Sequence, residues 1–158
     1  MKIIVDVPTQ ILYVLEKEDE LKRYLVSTAA NGLGEQKNSE KTPRGLHVVR
    51  AKIGNNVPEN TVFVGRRPTG EIYQTGMKAA QPDRDWILTR ILWLSGLEIG
   101  KNRLGQVDTM QRYIYIHGTP DEVEMGKPGS RGCIRMRNSD LIDLYARVPV
   151  GCLVEIRG

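Results

Sequence analysis

Cys133 lies in Gly129-Ser130-Arg131-Gly132-Cys133-Ile134-Arg135-Met136, preceded by two glycines and flanked by two arginines. The thiolate is the reactive form of cysteine. Nearby positive charge lowers a thiol pKa from its ordinary value of ~8.5, and glycine lets a substrate approach the backbone closely. Arg131 and Arg135 supply such charge, so the segment reads as a nucleophile loop rather than core filling. A cysteine nucleophile also needs a base within hydrogen-bond reach, and the chain has two histidines, His47 and His117. His117 ends the alternating run Arg112 to His117 and precedes Gly118-Thr119-Pro120, which puts it at a strand end. His47, inside Leu46-His47-Val48-Val49, reads as a satisfied core histidine. Cys152, inside Gly151-Cys152-Leu153-Val154, reads as a small apolar strand residue.

Competing chemistries find less support. A zinc site needs three or four ligands, and two His and two Cys without finger-like spacing do not provide them, so no metal is expected. Ser130 is in no Gly-x-Ser-x-Gly elbow. The net charge of +4 is scattered among acids, aromatic residues are 6%, and no recognition module is visible, which argues against a nucleic-acid partner. No stretch approaches membrane-spanning length. The start Met1-Lys2-Ile3-Ile4-Val5-Asp6 is too short for the apolar region of a signal peptide, so no export signal is visible in this chain. Two cysteines leave the redox compartment open.

The elements that must position these residues follow from pattern. With 158 residues, 40% hydrophobic and 27% charged, the chain is expected to form one globular domain over 1–158. Lys2 to Val7, Gln10 to Glu16 and Leu21 to Ser27 are short, β-prone and separated by turn residues, which predicts an antiparallel meander. Asn31 to Lys41 reads as a surface loop feeding a strand over Leu46 to Ala51. Arg67-Pro68-Thr69-Gly70 has the Pro and Gly positions of a type I turn, predicting a hairpin between Thr61 to Val64 and Glu71 to Tyr73. Trp86 to Leu94 reads as a strand. Asn138 or Ser139 is expected to N-cap a helix whose buried face carries Leu141, Leu144, Tyr145 and Val148, with Pro149 stopping it. Gly151 to Ile156 is the closing strand. The sum is a mainly β domain with one or two short helices.

His117-Gly118, followed after a short loop by Gly126-Lys127-Pro128-Gly129-Ser130-Arg131-Gly132-Cys133-Ile134-Arg135-Met136, resembles the signature of the L,D-transpeptidase (YkuD-type) catalytic domain. Gln10-x-Leu12, Ser27-Thr28-Ala29 and Thr42-Pro43-Arg44-Gly45 resemble further landmarks of that family in the expected order, so the likeness covers nearly the whole chain. The resemblance implies a β-sandwich or mixed-sheet catalytic fold, no cofactor, and location in the cell envelope or periplasm. It also implies attack by Cys133 on the carbonyl between a diamino acid and D-alanine in a peptidoglycan stem peptide. The acyl group would pass to an amine, or in a variant reading to water, and a carbapenem would acylate the same cysteine. A non-catalytic peptidoglycan-binding module is the rival outside enzymology. Carried over by residue, His117 is the acid/base, Gly132 and Cys133 supply oxyanion N–H groups, and Ser130, Arg131, Arg135 and Gly118 complete the oxyanion and substrate-binding surroundings. Arg135 is assigned a clamp on a loop carbonyl ahead of a substrate carboxylate. The family more often has histidine where this chain has Arg131, which leaves His117 as the base.

Overall fold

The computed structural model describes residues 1–158. Ten strands form one mixed sheet: β1 Lys2–Asp6, β2 Ile11–Glu16, β3 Asp19–Ser27, β4 Gly45–Ile53, β5 Thr61–Val64, β6 Arg67–Ile72, β7 Ile87–Gly96, β8 Tyr115–Gly118, β9 Ile134–Met136 and β10 Leu153–Arg157. Their order is β4-β10-β1-β2-β3-β9-β8-β7-β5-β6. A further β4–β7 pairing closes eight of them on themselves, and the β5–β6 hairpin extends from β7. The outcome is the expected mainly β catalytic fold with two helices, its mixed sheet closed on itself. Closure leaves no open edge except on the hairpin. The meander β1–β2–β3 is antiparallel as its sequence pattern predicts.

The core follows from strand period. Ile3 and Val5, Leu12 and Val14, Tyr24 and Val26, Ile114 and Ile116, Ile134 and Met136, and Val154 and Ile156 alternate onto one face and are buried together. Helix α2, Asn138–Arg147, contributes Leu141, Leu144 and Tyr145 to the same cluster. Each such side chain contributes about 1.5–3 kcal/mol on full burial. Helix α1, Met77–Ala80, is a single turn beyond the hairpin.

Three local expectations are corrected. The hairpin turn is Gly65-Arg66, not Arg67–Gly70: both residues have positive φ (57° and 64°), the geometry whose twist matches paired strands. Pro68 therefore falls inside β6, an edge strand that tolerates its missing N–H. Strand β8 begins at Tyr115 rather than Arg112, because Tyr113 takes a positive φ (56°) and breaks the extended run. At α2 the N-cap is Arg137, with no side-chain cap. Asn138 instead turns inward, donating to Asn60 Oδ1 (3.0 Å) and Thr119 O (3.1 Å) and accepting from Thr89 Oγ1 (2.7 Å).

Strands β8 and β9 are parallel neighbours, with Ile116 opposite Ile134 and His117 opposite Arg135. Parallel neighbours need a crossover of a dozen or more residues. The connection 119–133 is that crossover, which is why the two chemically suggestive residues sit sixteen positions apart in sequence yet line one cavity.

Candidate active site

With Ile116, Ile134 and Met136 turned to the core, the alternate positions Tyr115, His117, Cys133 and Arg135 share the opposite face. They line a cavity of about 470 Å³ with Arg66, Asp85, Arg112, Tyr113 and Arg131. The predicted base and nucleophile are therefore brought together, and His47 and Cys152 are not. Cys133 Sγ accepts from Tyr115 N–H (3.2 Å) and donates to the Tyr113 carbonyl (3.3 Å), so the resting thiol is parked on backbone rather than on His117.

His117 is 1 % exposed. Its Nδ1 lies 2.6 Å from the Gly118 carbonyl, an acceptor only, so Nδ1 carries the proton and Nε2 keeps its lone pair. Gly118 is glycine because a Cβ there would run into Asn138 Oδ1 and lie 2.6 Å from the Leu88 carbonyl. The inward Asn138, bonded to Thr89 and to the Thr119 carbonyl, thus braces the backbone that fixes the imidazole.

The loop before Cys133 is held by the landmarks named above. Thr28 O accepts from Gly129 N–H (2.8 Å) and Ser130 N–H (2.9 Å), and Gln10 fixes Thr28 through both its amide atoms. Thr42 Oγ1 accepts from Ala29 N–H and donates to Gly132 O (2.9 Å). Ser130, 3 % exposed, donates to Cys133 O (2.5 Å) and accepts from Gly132 N–H (3.1 Å). Ser130 therefore shapes the loop, and the Gly132 N–H is engaged in it. The Cys133 N–H has no acceptor in the protein. Gly132 has φ 132° and faces Lys41 O and Ile114, where a side chain has little space.

Arg135 donates from Nη1 to Gly129 O (3.0 Å), the loop clamp anticipated for it. Arg131 does not stand over the thiol: its Nη2 reaches the Asp83 carbonyl (2.9 Å). The cations whose fields act on the sulfur are Arg135 and Arg112, opposed by Asp85. Burial outweighs them and pushes the Cys133 thiol up to about 12. Burial also lowers His117, against the upward pull of Asp85 and of its Gly118 hydrogen bond. Both shifts favour a neutral thiol beside a neutral imidazole.

Sequence reasoning missed Arg66, Asp85 and Arg112. Arg112 anchors the rim by donating to Lys41 O (2.6 Å). Arg66 donates to Tyr115 Oη (3.0 Å) and lies over the Trp93 and Tyr113 rings. Only Arg112 had a positional hint, at the head of the run leading to His117; the others arrive through the hairpin and β7. No three His, Cys, Asp or Glu side chains converge as metal ligands, and no helix is long and apolar enough to cross a membrane.

A profile of the YkuD family, described as the L,D-transpeptidase catalytic domain, matches residues 1–156. The chain belongs to that family. YkuD of Bacillus subtilis (strain 168), provisionally named an L,D-transpeptidase, is 51% identical over 41 residues, which cover 26% of this chain and 25% of that protein. Among solved structures, an L,D-transpeptidase from Mycobacterium smegmatis superimposes with TM-score 0.57 at 18% identity, over 99% of this chain and 58% of that one. L,D-transpeptidase 3 from Mycobacterium tuberculosis, in complex with a faropenem-derived adduct, gives 0.59 at 15% identity over 99% and 60%. At these identities the shared property is the L,D-transpeptidase fold, and the chain spans under two thirds of each solved relative's length.

Proposed function

We propose that this domain catalyses L,D-transpeptidation of peptidoglycan stem tetrapeptides in the cell envelope, with Cys133 as nucleophile and His117 as acid/base. The observation that carries the reading is the shared outward face of β8 and β9. It presents a cysteine and a histidine with one nitrogen already pinned to one cavity. With burial raising the thiol pKa and lowering that of the imidazole, the proton moves with the attack. Sγ bonds to the carbonyl carbon of the donor while its proton passes to Nε2 of His117. The Cys133 N–H stabilises the oxyanion, joined by Gly132 N–H if it exchanges its Ser130 acceptor. Collapse breaks the C–N bond, the imidazolium protonates the leaving D-alanine amine, and a thioester remains. An acceptor amine attacks the thioester and gives its proton to His117, which returns it to the departing sulfur. The arginines around the cavity suit the carboxylates of such peptides.

A faropenem-derived adduct in the Mycobacterium tuberculosis relative supports a direct test. Mass spectrometry after incubation with a carbapenem should show one covalent adduct, located on Cys133 and absent from Cys133→Ala. An unmodified wild-type chain that still binds muropeptides would overturn catalysis in favour of a binding module. With a tetrapeptide donor, release of tripeptide in place of amide product would make water the acceptor.

A further inference from the structure

Beyond the Cys133 cavity, on the far side of Arg131 and Arg135, lies a second cavity of about 190 Å³ lined by Lys78, Arg84, Trp86, Thr119, Arg131 and Arg135. Arg131 and Arg135 line both spaces, so the two adjoin. Three of its cations form no ion pair, although Glu122 lies within the field of Lys78 and Arg135 within that of Asp85. Lys78 Nζ makes no hydrogen bond or ion pair, Arg131 is held only by the Asp83 carbonyl, and Arg135 only by the Gly129 carbonyl. Arg84 is paired with Glu71. Two wall residues, Trp86 (3 % exposed) and Thr119 (1 %), carry polar atoms, Nε1 and Oγ1, with no partner. Buried polar groups are nearly always partnered, so a wall whose residues carry two unpartnered polar atoms and three cations without an ion pair suits an anion. Asp85, exposed and unpaired, is the sole carboxylate lining the adjoining Cys133 cavity.

We propose that this second cavity is a carboxylate subsite for the amino acid whose amine leaves, or enters, at the carbonyl held by Cys133, with Lys78, Arg131 and Arg135 as its cations. The proposal rests on the transpeptidase reading above. An entering amine retraces the path of the leaving one, so a single subsite serves both partners. Its ligand carries a carboxylate beside the amine. Asp85, in the Cys133 cavity, faces the ammonium of the same zwitterion, while the cations of the adjoining cavity take its carboxylate. Lys78, Thr119 and Trp86 thereby become specificity-determining residues.

Two measurements on the full chain test this. In the first, N-acetyl-D-alanine, which has a carboxylate and no nucleophilic amine, is titrated while the indole N–H resonance of Trp86 is followed. It should shift saturably, N-acetyl-D-alaninamide should not shift it, and Lys78→Ala should weaken the binding about 5- to 10-fold. Equal shifts with both compounds, or none with either, would overturn the subsite. This readout needs no turnover, so a positive titration with a wild type that no carbapenem acylates would sink the transpeptidase reading and leave the subsite standing. In the second, D-alanine and D-alaninamide compete as acyl acceptors from a tetrapeptide donor. Lys78→Ala should cut the D-alanine to D-alaninamide product ratio by a similar factor. An unchanged ratio would show that the cavity does not choose the acceptor.

Discussion

The two histidines are equally hidden, His47 at 0 % exposed and His117 at 1 %, yet only one keeps a ring nitrogen unclaimed. On β4, His47 has both ring nitrogens occupied, Nδ1 by the Gly45 carbonyl and Nε2 by Thr109 Oγ1, each at 3.0 Å. On β8, His117 has one nitrogen occupied and the other unclaimed beside a cavity. The cysteines divide in the same way: Cys152 packs in the main core, while Cys133 lines the cavity. A buried imidazole is structural when its hydrogen-bond capacity is used up within the protein and reactive when half is left over. Burial alone does not separate the two cases.

The sharpest way to break this contrast is the cysteine pair. Cys133→Ala should lower acyl transfer by at least about 10³-fold with the fold retained, whereas Cys152→Ala should leave turnover near wild type. Comparable losses in both, with normal thermal unfolding, would refute the division. The histidine pair comes next. His117→Gln should cost about 10²–10⁴-fold in acylation rate. His47→Gln should instead lower stability by roughly 1–3 kcal/mol, by unsettling two buried hydrogen bonds, with little change in rate for the folded fraction. Denaturant unfolding alongside kinetics separates the two effects.

The pH dependence sharpens it further. Acylation needs neutral His117, whose pKa burial holds below the ordinary 6.5, so the rate should rise with pH through an inflection below that value. It should then stay flat across the neutral range, since the Cys133 thiol titrates only at about 12. An inflection near 8.5 in alkylation of Cys133 would contradict the raised thiol pKa. His47 gives a stability signature instead. Its folded pKa is lowered by burial to about 4 from an ordinary 6.5, so between those values the unfolded chain binds more protons. The stability it contributes is present above pH 6.5 and lost as pH falls through 4, up to roughly 3 kcal/mol. His47→Gln should remove that component of the pH dependence. The smallest effect belongs to Arg131→Ala, which should leave the pH profile of Cys133 alkylation superimposable on wild type, because Arg131 is turned to Asp83 O. An upward shift would restore it as a cation tuning the thiol.

Much of the fold was legible where local signals sufficed. The meander, the strand before His117, and the helix stopped by Pro149 follow from alternation, turn residues and helical spacing. The hairpin was legible in existence and misplaced in register, because Pro and Gly in Arg67–Gly70 signal a turn while the strand pairing selects Gly65-Arg66. Asn138 was legible as a cap residue, but the unpaired groups of Thr89, Asn60 and Thr119 claim its side chain.

By itself the sequence singled out the candidate nucleophile, its candidate base and the loop that carries them, from residue types and from the family signature that His117 and the Gly129–Met136 segment resemble. Tertiary structure alone decided the β4–β7 closure, the arrival of Arg66, Asp85 and Arg112 at the cavity, the turn of Arg131 toward the Asp83 carbonyl, and the upward shift of the Cys133 thiol pKa. The physical reason is range. Strand period and turn preference act over a few residues, whereas burial, and the charges that offset it, depend on segments that meet only once the sheet has closed.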